Sequence, residues 1–457
     1  MVRNGFARSA TVAVTGVVLA AVGATTAVAQ PAGDKAATGG NAAAADPAAV
    51  RAALERTVTA GAPGAFAEIR DHVGPKQSFA VGKADLDGTP MNANSRFRVG
   101  SNTKMFTSVL VLRLAERGRI DLDKPLRDYL PAGTLPAGWD MTGRQVMQHR
   151  SGIFDHTNDL LEQQGEETTK AFEERIRNTV YKPADMVAMS VKHGQQFTPG
   201  SKYAYSNTNY VLLGMAIEHL TGGSYAKALR KQIIEPLKLK KTSYVVPSKA
   251  ITGKHVTGYL TNDDRTKPLL DSTEQNGSWV GSAGAVISSA ADLDRFLTKL
   301  LKGRSGGLLS DASVKEMTTT LPTPTAKVSY GLGLRAIELS CGTVYGHGGI
   351  VQGFQTQSFA TRDGKKTVVV FGNASNNTSV TQGLTNTLEP AFCSTEPMMS
   401  WIQPSVPSSV VASGIKNGIC SVYSPHTTCS VRVNEFETGF LEDFALLLKR
   451  LVPSDNY

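Results

Sequence analysis

The sequence predicts a mixed α/β fold of the α+β kind: an antiparallel sheet flanked by helices, with an all-helical subdomain inserted into it. Three observations carry this expectation. Short strand-like runs stand near the start of the ordered region, at 65–70 and 78–81. A long stretch from about 122 to 275 is mostly of helical pattern. From about 328 the apolar spacing returns to the two-residue period of strands. Strands at both ends of a segment and helices between them describe one interrupted domain rather than two separate ones.

The chain has 457 residues, 41% hydrophobic and 19% charged, which is ample material for a core. Its net charge of +9 comes from 48 Lys+Arg against 39 Asp+Glu. No dense basic block or aromatic-interleaved basic stripe accompanies that charge, so nucleic acid is not an expected partner. A charge of this size is ordinary for solubility.

The elements follow in order. Arg3 and Arg8 precede an apolar or small run over 10–28, and Ala27-Val28-Ala29 offers a small-x-small cleavage site before Gln30. This predicts a secretory signal over 1–29, a secreted product and no stable membrane anchor. The run is long enough to be an uncleaved anchor, and the cleavage site argues against that. Residues 30–47 are Ala/Gly/Asn/Asp-rich and read as a flexible linker. Asp46-Pro47 predicts a helix start, an N-cap followed by Pro at the first position, with the helix running through Leu54 and Val58.

The strand-like runs follow Gly61-Ala-Pro-Gly64. A buried helix is expected over Ser101–Arg117, because Met105, Phe106, Val109, Leu110, Leu112 and Leu114 cover more than one face. Helical patterns at Gln145–His149, Phe172–Asn178, Asn209–Leu220 and Tyr225–Ile234 make up the insert. Strands are expected at Tyr330–Ile337, Val344–His347, Phe354–Ala360 and Thr367–Gly372, then a helix over Val380–Phe392. The domain so built spans 48–398, and 399–457 reads as an appended tail. The four cysteines, Cys341, Cys393, Cys420 and Cys429, allow three pairings that spacing does not separate. With no CxxC, no HExxH and scattered histidines, no metal and no cofactor are expected.

Three short motifs carry chemistry. In Ser101-Asn-Thr-Lys104, serine and lysine three apart share a helix face. At a helix start the serine N–H can receive an oxyanion, and a desolvated lysine gives up its proton readily enough to act as a base. Tyr205-Ser206-Asn207 falls at a loop-to-helix junction, where Tyr205 can relay protons beside an ammonium that favours its phenolate. Asn207 offers both a donor and an acceptor, or alternatively caps the following helix. His347-Gly348-Gly349 ends a strand, and its glycines let a ligand backbone approach. A lone histidine there is otherwise an ordinary turn residue.

Taken together and in order, these motifs resemble those of the penicillin-recognising serine hydrolases, the class C-type β-lactamases and low-molecular-mass penicillin-binding proteins. The likeness is greatest to a secreted D-alanyl-D-alanine carboxypeptidase. The stretches are Phe97-Arg-Val-Gly-Ser-Asn-Thr-Lys104, Met147-Gln-His-Arg-Ser-Gly152, Tyr205-Ser-Asn-Thr-Asn209, Ser272-Thr-Glu-Gln275, Ser282-Ala-Gly-Ala-Val-Ile-Ser-Ser289, Tyr330-Gly-Leu-Gly-Leu-Arg335 and Val344-Tyr-Gly-His-Gly-Gly349. The resemblance covers about 48–395. It implies Ser101 as the acylated nucleophile, Lys104 and Tyr205 as the base system, and His347 as the fourth catalytic residue. It implies a substrate site of Asn207, Trp279, Arg335, Gly348, Gly349, Ile350 and Gln352. It also implies a Cys341–Cys393 disulfide, leaving Cys420 and Cys429 for a loop in the tail.

The implied activity is acyl transfer on peptidoglycan stem peptides or another small acyl substrate, with β-lactams as inhibitors and the protein a monomer. Glycine at 348 and isoleucine at 350 stand where the carboxypeptidase has threonines. That departure opens β-lactamase, esterase or D-aminopeptidase activity on the same residues. A non-catalytic wall-binding role is the reading from another class, and an intact Ser/Lys/Tyr set argues against it.

Overall fold

In a computed structural model, residues 45–72, 74–161 and 168–393 are described. The expected signal, nearly all of the linker, and the tail with Cys420 and Cys429 lie outside these residues.

Helix α1 (Pro47–Thr59) starts where the sequence places it, with the Asp46 carboxylate accepting the Ala49 N–H at 3.0 Å. It leads into β1 (Gly64–Asp71) and β2 (Gln77–Gly82). Helix α2 (Thr103–Glu116) is buried over almost its whole circumference, from Thr103 to Leu112. A helix apolar on all sides must sit at the centre of a molecule. Phe106 stacks on Phe296, with ring centroids 3.9 Å apart.

The insert holds helices at Gly143–Met147, Thr157–Leu161 and Thr168–Ala171, another at Pro183–Lys192 that the pattern did not announce, and α3 (Asn207–Thr221). It is not helical throughout. Beyond Thr242 it includes two-residue strands, and Ser243–Tyr244 pairs with Val286–Ile287 outside the insert. Helix α4 (Ala290–Leu301) also escaped the sequence reading, although Ser289 caps it and Leu293, Phe296, Leu297 and Leu300 form a clear apolar stripe.

The remaining strands of the large sheet are β3 (Leu321–Pro322), β4 (Val328–Tyr330), β5 (Arg335–Leu339), β6 (Gly342–Val351), β7 (Phe354–Thr361) and β8 (Lys366–Gly372). The eight strands form one antiparallel sheet in the order β2-β1-β8-β7-β6-β5-β4-β3. Both ends of the domain therefore contribute to it. The single strand expected over Tyr330–Ile337 is two, because Gly333 takes a left-handed turn (φ 87°) between them. The helix expected over Val380–Phe392 is likewise two, α5 (Thr378–Asn386) and α6 (Leu388–Phe392). A Cys341–Cys393 disulfide ties the turn between β5 and β6 to the end of α6, with Cα atoms 5.5 Å apart.

One detail of register positions the site. Strand β5 pairs with β6 only as far as Arg335↔Gly346, whereas β7 continues to Val351↔Phe354. From His347 onwards β6 therefore has a strand neighbour on one side, and its other edge faces the turn that carries Ser101.

Candidate active site

Ser101 sits in a tight turn, Gly100–Asn102, that leads into α2. Two glycines let this turn lie against β6. Gly100 is left-handed (φ 53°), and a Cβ there would stand 2.7 Å from the Ile350 nitrogen. A Cβ on Gly349 would stand 2.0 Å from the Val99 carbonyl. Backbone thus meets backbone, and the Ile350 peptide comes beside that of Ser101. Two N–H groups at such a place suit a developing oxyanion.

Lys104 lies one turn further on, fully buried. Its Nζ is 3.0 Å from Ser101 Oγ, 2.7 Å from Asn207 Oδ1 and 3.0 Å from the Ala283 carbonyl. Burial holds this amine well below the usual lysine range; the Arg335 cation lowers it further, and the Asp155 carboxylate works against both. A neutral amine has two N–H bonds and one lone pair. The Asn207 and Ala283 oxygens take the two hydrogens, so the lone pair faces the Ser101 hydroxyl. That is the arrangement a base requires.

Tyr205 Oη donates to Ser101 Oγ at 2.8 Å. The structure corrects the expectation of a favoured phenolate. Burial raises the Tyr205 phenol far above its ordinary value, and the opposing influence of Arg335 is smaller. Tyr205 therefore holds its proton and is placed to give it. Asn207 does not cap α3. Its Oδ1 receives Lys104, while its Nδ2 donates to Asp155 Oδ2 at 3.0 Å.

His347, expected among the catalytic residues, bonds elsewhere. It is fully buried on β6; Nε2 is 2.9 Å from Tyr330 Oη and Nδ1 faces the Gly348 carbonyl. Burial, then Arg335, then Lys104 hold it well below the usual histidine range, so it is neutral. The half-buried Arg335 lies 5.9 Å above the Tyr205 ring. Ser101, Asn207, Trp279, Ile350 and Gln352 line a cleft of about 260 Å³. Gly348 and Gly349 continue along the adjoining strand. The structure thus brings the expected site residues into one neighbourhood, with both His347 ring nitrogens engaged by Tyr330 and Gly348 rather than by the nucleophile.

Sequence reasoning gave no role to three residues that matter here. Asp155 supports Asn207 and the Lys104 charge; His149 packs on Tyr205, ring centroids 4.1 Å apart; and Tyr330 joins the two histidines. His149 and Tyr330 stood inside recognised motifs, so the signal was present. Asp155 had none beyond lying three residues after one of them. Among the described residues, no group of three or more His, Cys, Asp or Glu is placed to hold a metal ion.

Comparison with known proteins gives the following likenesses. The family profile described as Beta-lactamase matches residues 29–391, and one described as UPF0047 protein YjbQ-like matches 393–457. A solved D-stereospecific amidohydrolase from a Streptomyces species is 37% identical, with a TM-score of 0.66 over 74% of this chain and 98% of its own. The D-amino acid amidase of Ochrobactrum anthropi SV3, solved with L-phenylalanine amide, is 25% identical, with a TM-score of 0.64 over 75% of this chain and 97% of its own. Penicillin-binding protein 4 of Amycolatopsis lactamdurans is 30% identical over 217 residues, which is 46% of this chain and 51% of that relative.

Proposed function

We propose, for a chain that belongs to the Beta-lactamase family, that it is a serine hydrolase acting through an acyl-enzyme on D-configured amides or peptides with a neutral leaving group. The observation that carries the reading is the pair of short contacts on one oxygen: Lys104 Nζ at 3.0 Å and Tyr205 Oη at 2.8 Å from Ser101 Oγ. Ser101 Oγ attacks the substrate carbonyl as its proton passes to Lys104. The Ser101 and Ile350 N–H groups receive the oxyanion. The C–N bond then breaks, with the leaving nitrogen taking a proton delivered through Tyr205. Water repeats the sequence to release the acid and restore Ser101.

The nature of the strand wall supports a neutral leaving group. His347 is uncharged, Gly348 and Gly349 bring no hydroxyl, and Ile350 is 54% exposed where a hydroxyl would help hold a carboxylate. Leu161, Leu260, Trp279 and Val280 add apolar surface, which suits an apolar acyl residue. The two solved neighbours described as a D-stereospecific amidohydrolase and a D-amino acid amidase agree with this reading.

A second reading, D-alanyl-D-alanine carboxypeptidase acting on stem peptides, is favoured by Arg335, whose guanidinium could pair with a terminal carboxylate. Acylation of Ser101 by β-lactams belongs to both readings. The apolar run over 10–28 with its cleavage site supports export of the product.

Two measurements test the proposal. Benzylpenicillin should add its mass to the protein and not to Ser101→Ala; an adduct that persists in that variant overturns the acyl-enzyme. Turnover of a D-amino-acid amide, a D-Ala-D-Ala peptide, a β-lactam and a short ester should be compared. The amide should exceed the dipeptide by about tenfold or more in kcat/KM, a typical margin for one mismatched polar group. The reverse order establishes the carboxypeptidase.

A further inference from the structure

Behind Tyr205, two buried histidines and a tyrosine join the two walls of the cleft. Ser206 N–H donates to His149 Nδ1 at 3.2 Å, and Asn209 Nδ2 reaches the same nitrogen at 3.2 Å. His149 Nε2 is 3.1 Å from Tyr330 Oη, and Tyr330 Oη is 2.9 Å from His347 Nε2. His347 Nδ1 faces the Gly348 carbonyl.

Each end of this series admits one protonation pattern. A backbone N–H can only donate, so His149 Nδ1 carries its lone pair and the proton of the neutral ring is on Nε2. A carbonyl can only accept, so His347 Nδ1 carries the proton and Nε2 its lone pair. The Tyr330 hydroxyl fits between these two requirements, accepting from His149 and donating to His347. The two ends fix their rings independently, and one hydroxyl proton satisfies both.

We infer that Ser206, His149, Tyr330, His347 and Gly348 form a single one-way hydrogen-bond chain that sets the cleft strand at its distance from the Tyr205 loop. His347 is then a positioning residue. It acts through Gly348 on the strand that presents the Ile350 N–H, and it does so only while neutral. Adding a proton to His347 makes both nitrogens donors, and the Tyr330 hydroxyl then loses the lone pair it donates to. Burial opposes that proton first, then Arg335 from β5 and Lys104 from α2, while the Gly348 carbonyl favours it; the Tyr205 and Tyr330 rings pack beside it. His149 is itself fixed by a left-handed backbone (φ 56°) and by its contact with Tyr205. A lysine at 347 would bring donors and no acceptor, and so would break the chain at Tyr330.

The inference rests on the acyl-transfer reading only for its kinetic arm. The first arm needs no substrate: long-range 1H–15N spectra of histidine-labelled protein. Position 149 should carry its proton on Nε2 and position 347 on Nδ1, and neither should titrate between about pH 5 and 8, the ordinary histidine range. A charged or Nε2-protonated His347 overturns the chain. In Tyr330→Phe both signals should change while the protein stays folded; an unchanged His347 signal also overturns it.

The second arm compares His347→Gln, which keeps an acceptor towards Tyr330, with His347→Lys. The glutamine variant should stay within about fivefold of the parent kcat, and the lysine variant should lose about fiftyfold with KM within about twofold, as expected for misplacement rather than lost binding. A lysine variant as active as the parent shows that charge can serve at 347, and the inference falls. If that variant does not fold, the tautomer spectra of the parent protein decide.

Discussion

On the helical wall of the cleft, Lys104, Tyr205 and Asn207 meet around Ser101 through side chains alone; on the strand wall, Gly349 and Ile350 meet the same turn through backbone. The difference divides the work. Side chains whose protonation burial has shifted can move protons, and Lys104 and Tyr205 are shifted in opposite senses: the amine towards its neutral form and the phenol towards its neutral form as well. A base and an acid are thus both uncharged at rest, which is how one buried site keeps a proton giver beside a proton taker. Backbone cannot titrate. What it offers is a fixed position, and the strand wall is accordingly where glycines permit contact and where, on the proposed function, the substrate's far end would be sensed.

The sharpest way to break this division is to remove the base. Lys104→Ala should lower kcat by about 10³-fold, within the usual range for a general base. Its KM should change little, because the amine touches Ser101, Asn207 and Ala283 rather than the open cleft. Single-turnover acylation by a D-amino-acid amide measures it. A loss confined to KM would mean that Lys104 serves binding, and the two walls would not differ in kind.

The next test strikes the strand wall at neighbouring positions. In Gly349→Ala the new Cβ meets the Val99 carbonyl at 2.0 Å, and backbone cannot step aside. The variant should lose about 1–3 kcal/mol of stability, as overpacking does, and about a hundredfold in kcat from a displaced oxyanion donor. In Gly348→Ala the nearest obstacle is the end of the Gln357 side chain at 2.7 Å, which can rotate away. That variant should stay within about threefold of the parent, since a flexible neighbour relaxes at little cost. Equal losses in thermal unfolding and in kcat at the two positions would show that the fit of β6 to the turn is not what places the donor.

The two walls were unequally legible in the sequence, for the same reason that they differ in chemistry. Ser101 and Lys104 are three residues apart, one in the turn and the other in the first turn of the helix it leads into, so their meeting is a local fact. Tyr205 and Asn207 are joined to them by motif order alone, and burial, which sequence shows poorly, decides that Tyr205 is a phenol. The strand wall was harder to read. Gly346, Gly348 and Gly349 carry no strand signal, so β6 was expected to end at His347 although it runs to Val351. The role of His347 depends on Tyr330 and His149, which lie 17 and 198 positions away and meet only after folding. In the sheet, β1, β2, β7 and β8 lie within a residue of where they were expected, although β1 and β8 are buried on both faces rather than alternately. The Ser289 cap of α4 and its apolar stripe are both plain in the sequence, so no physical limit hides that helix.

A gentler change sharpens the specificity half of the comparison. Ile350→Thr keeps the backbone N–H and adds a hydroxyl at the exposed rim. The ratio of D-Ala-D-Ala peptide to D-amino-acid amide turnover should rise by about tenfold, the size of one hydrogen bond to a charged end. Benzylpenicillin acylation should fall by less than about threefold, since the oxyanion donor is unchanged. A hydroxyl that alters acylation and leaves the ratio fixed would place substrate sensing on the helical wall instead.

The smallest effect is also the most direct reading of the charges around Lys104. The base works when neutral, so kcat/KM should climb with pH through the folded-state pKa of this lysine, on a limb well below the usual lysine range. Burial is the main cause of that position, and two charges adjust it. Asp155 favours the ammonium, so Asp155→Asn lowers the pKa further and should move the limb to lower pH. Arg335 disfavours it, so Arg335→Met should move the limb to higher pH. Stability follows the same sign. Between the lowered folded value and the ordinary unfolded one, the unfolded chain binds the extra proton, so stability falls as pH drops through that window. The window widens in Asp155→Asn and narrows in Arg335→Met. Thermal unfolding across pH should therefore show the asparagine variant losing stability further into the acid range than the parent, and the methionine variant ceasing to lose it sooner. Limbs that move together in both variants, or not at all, would assign the acid limb to a group other than Lys104 and remove the proton-transfer role from the helical wall.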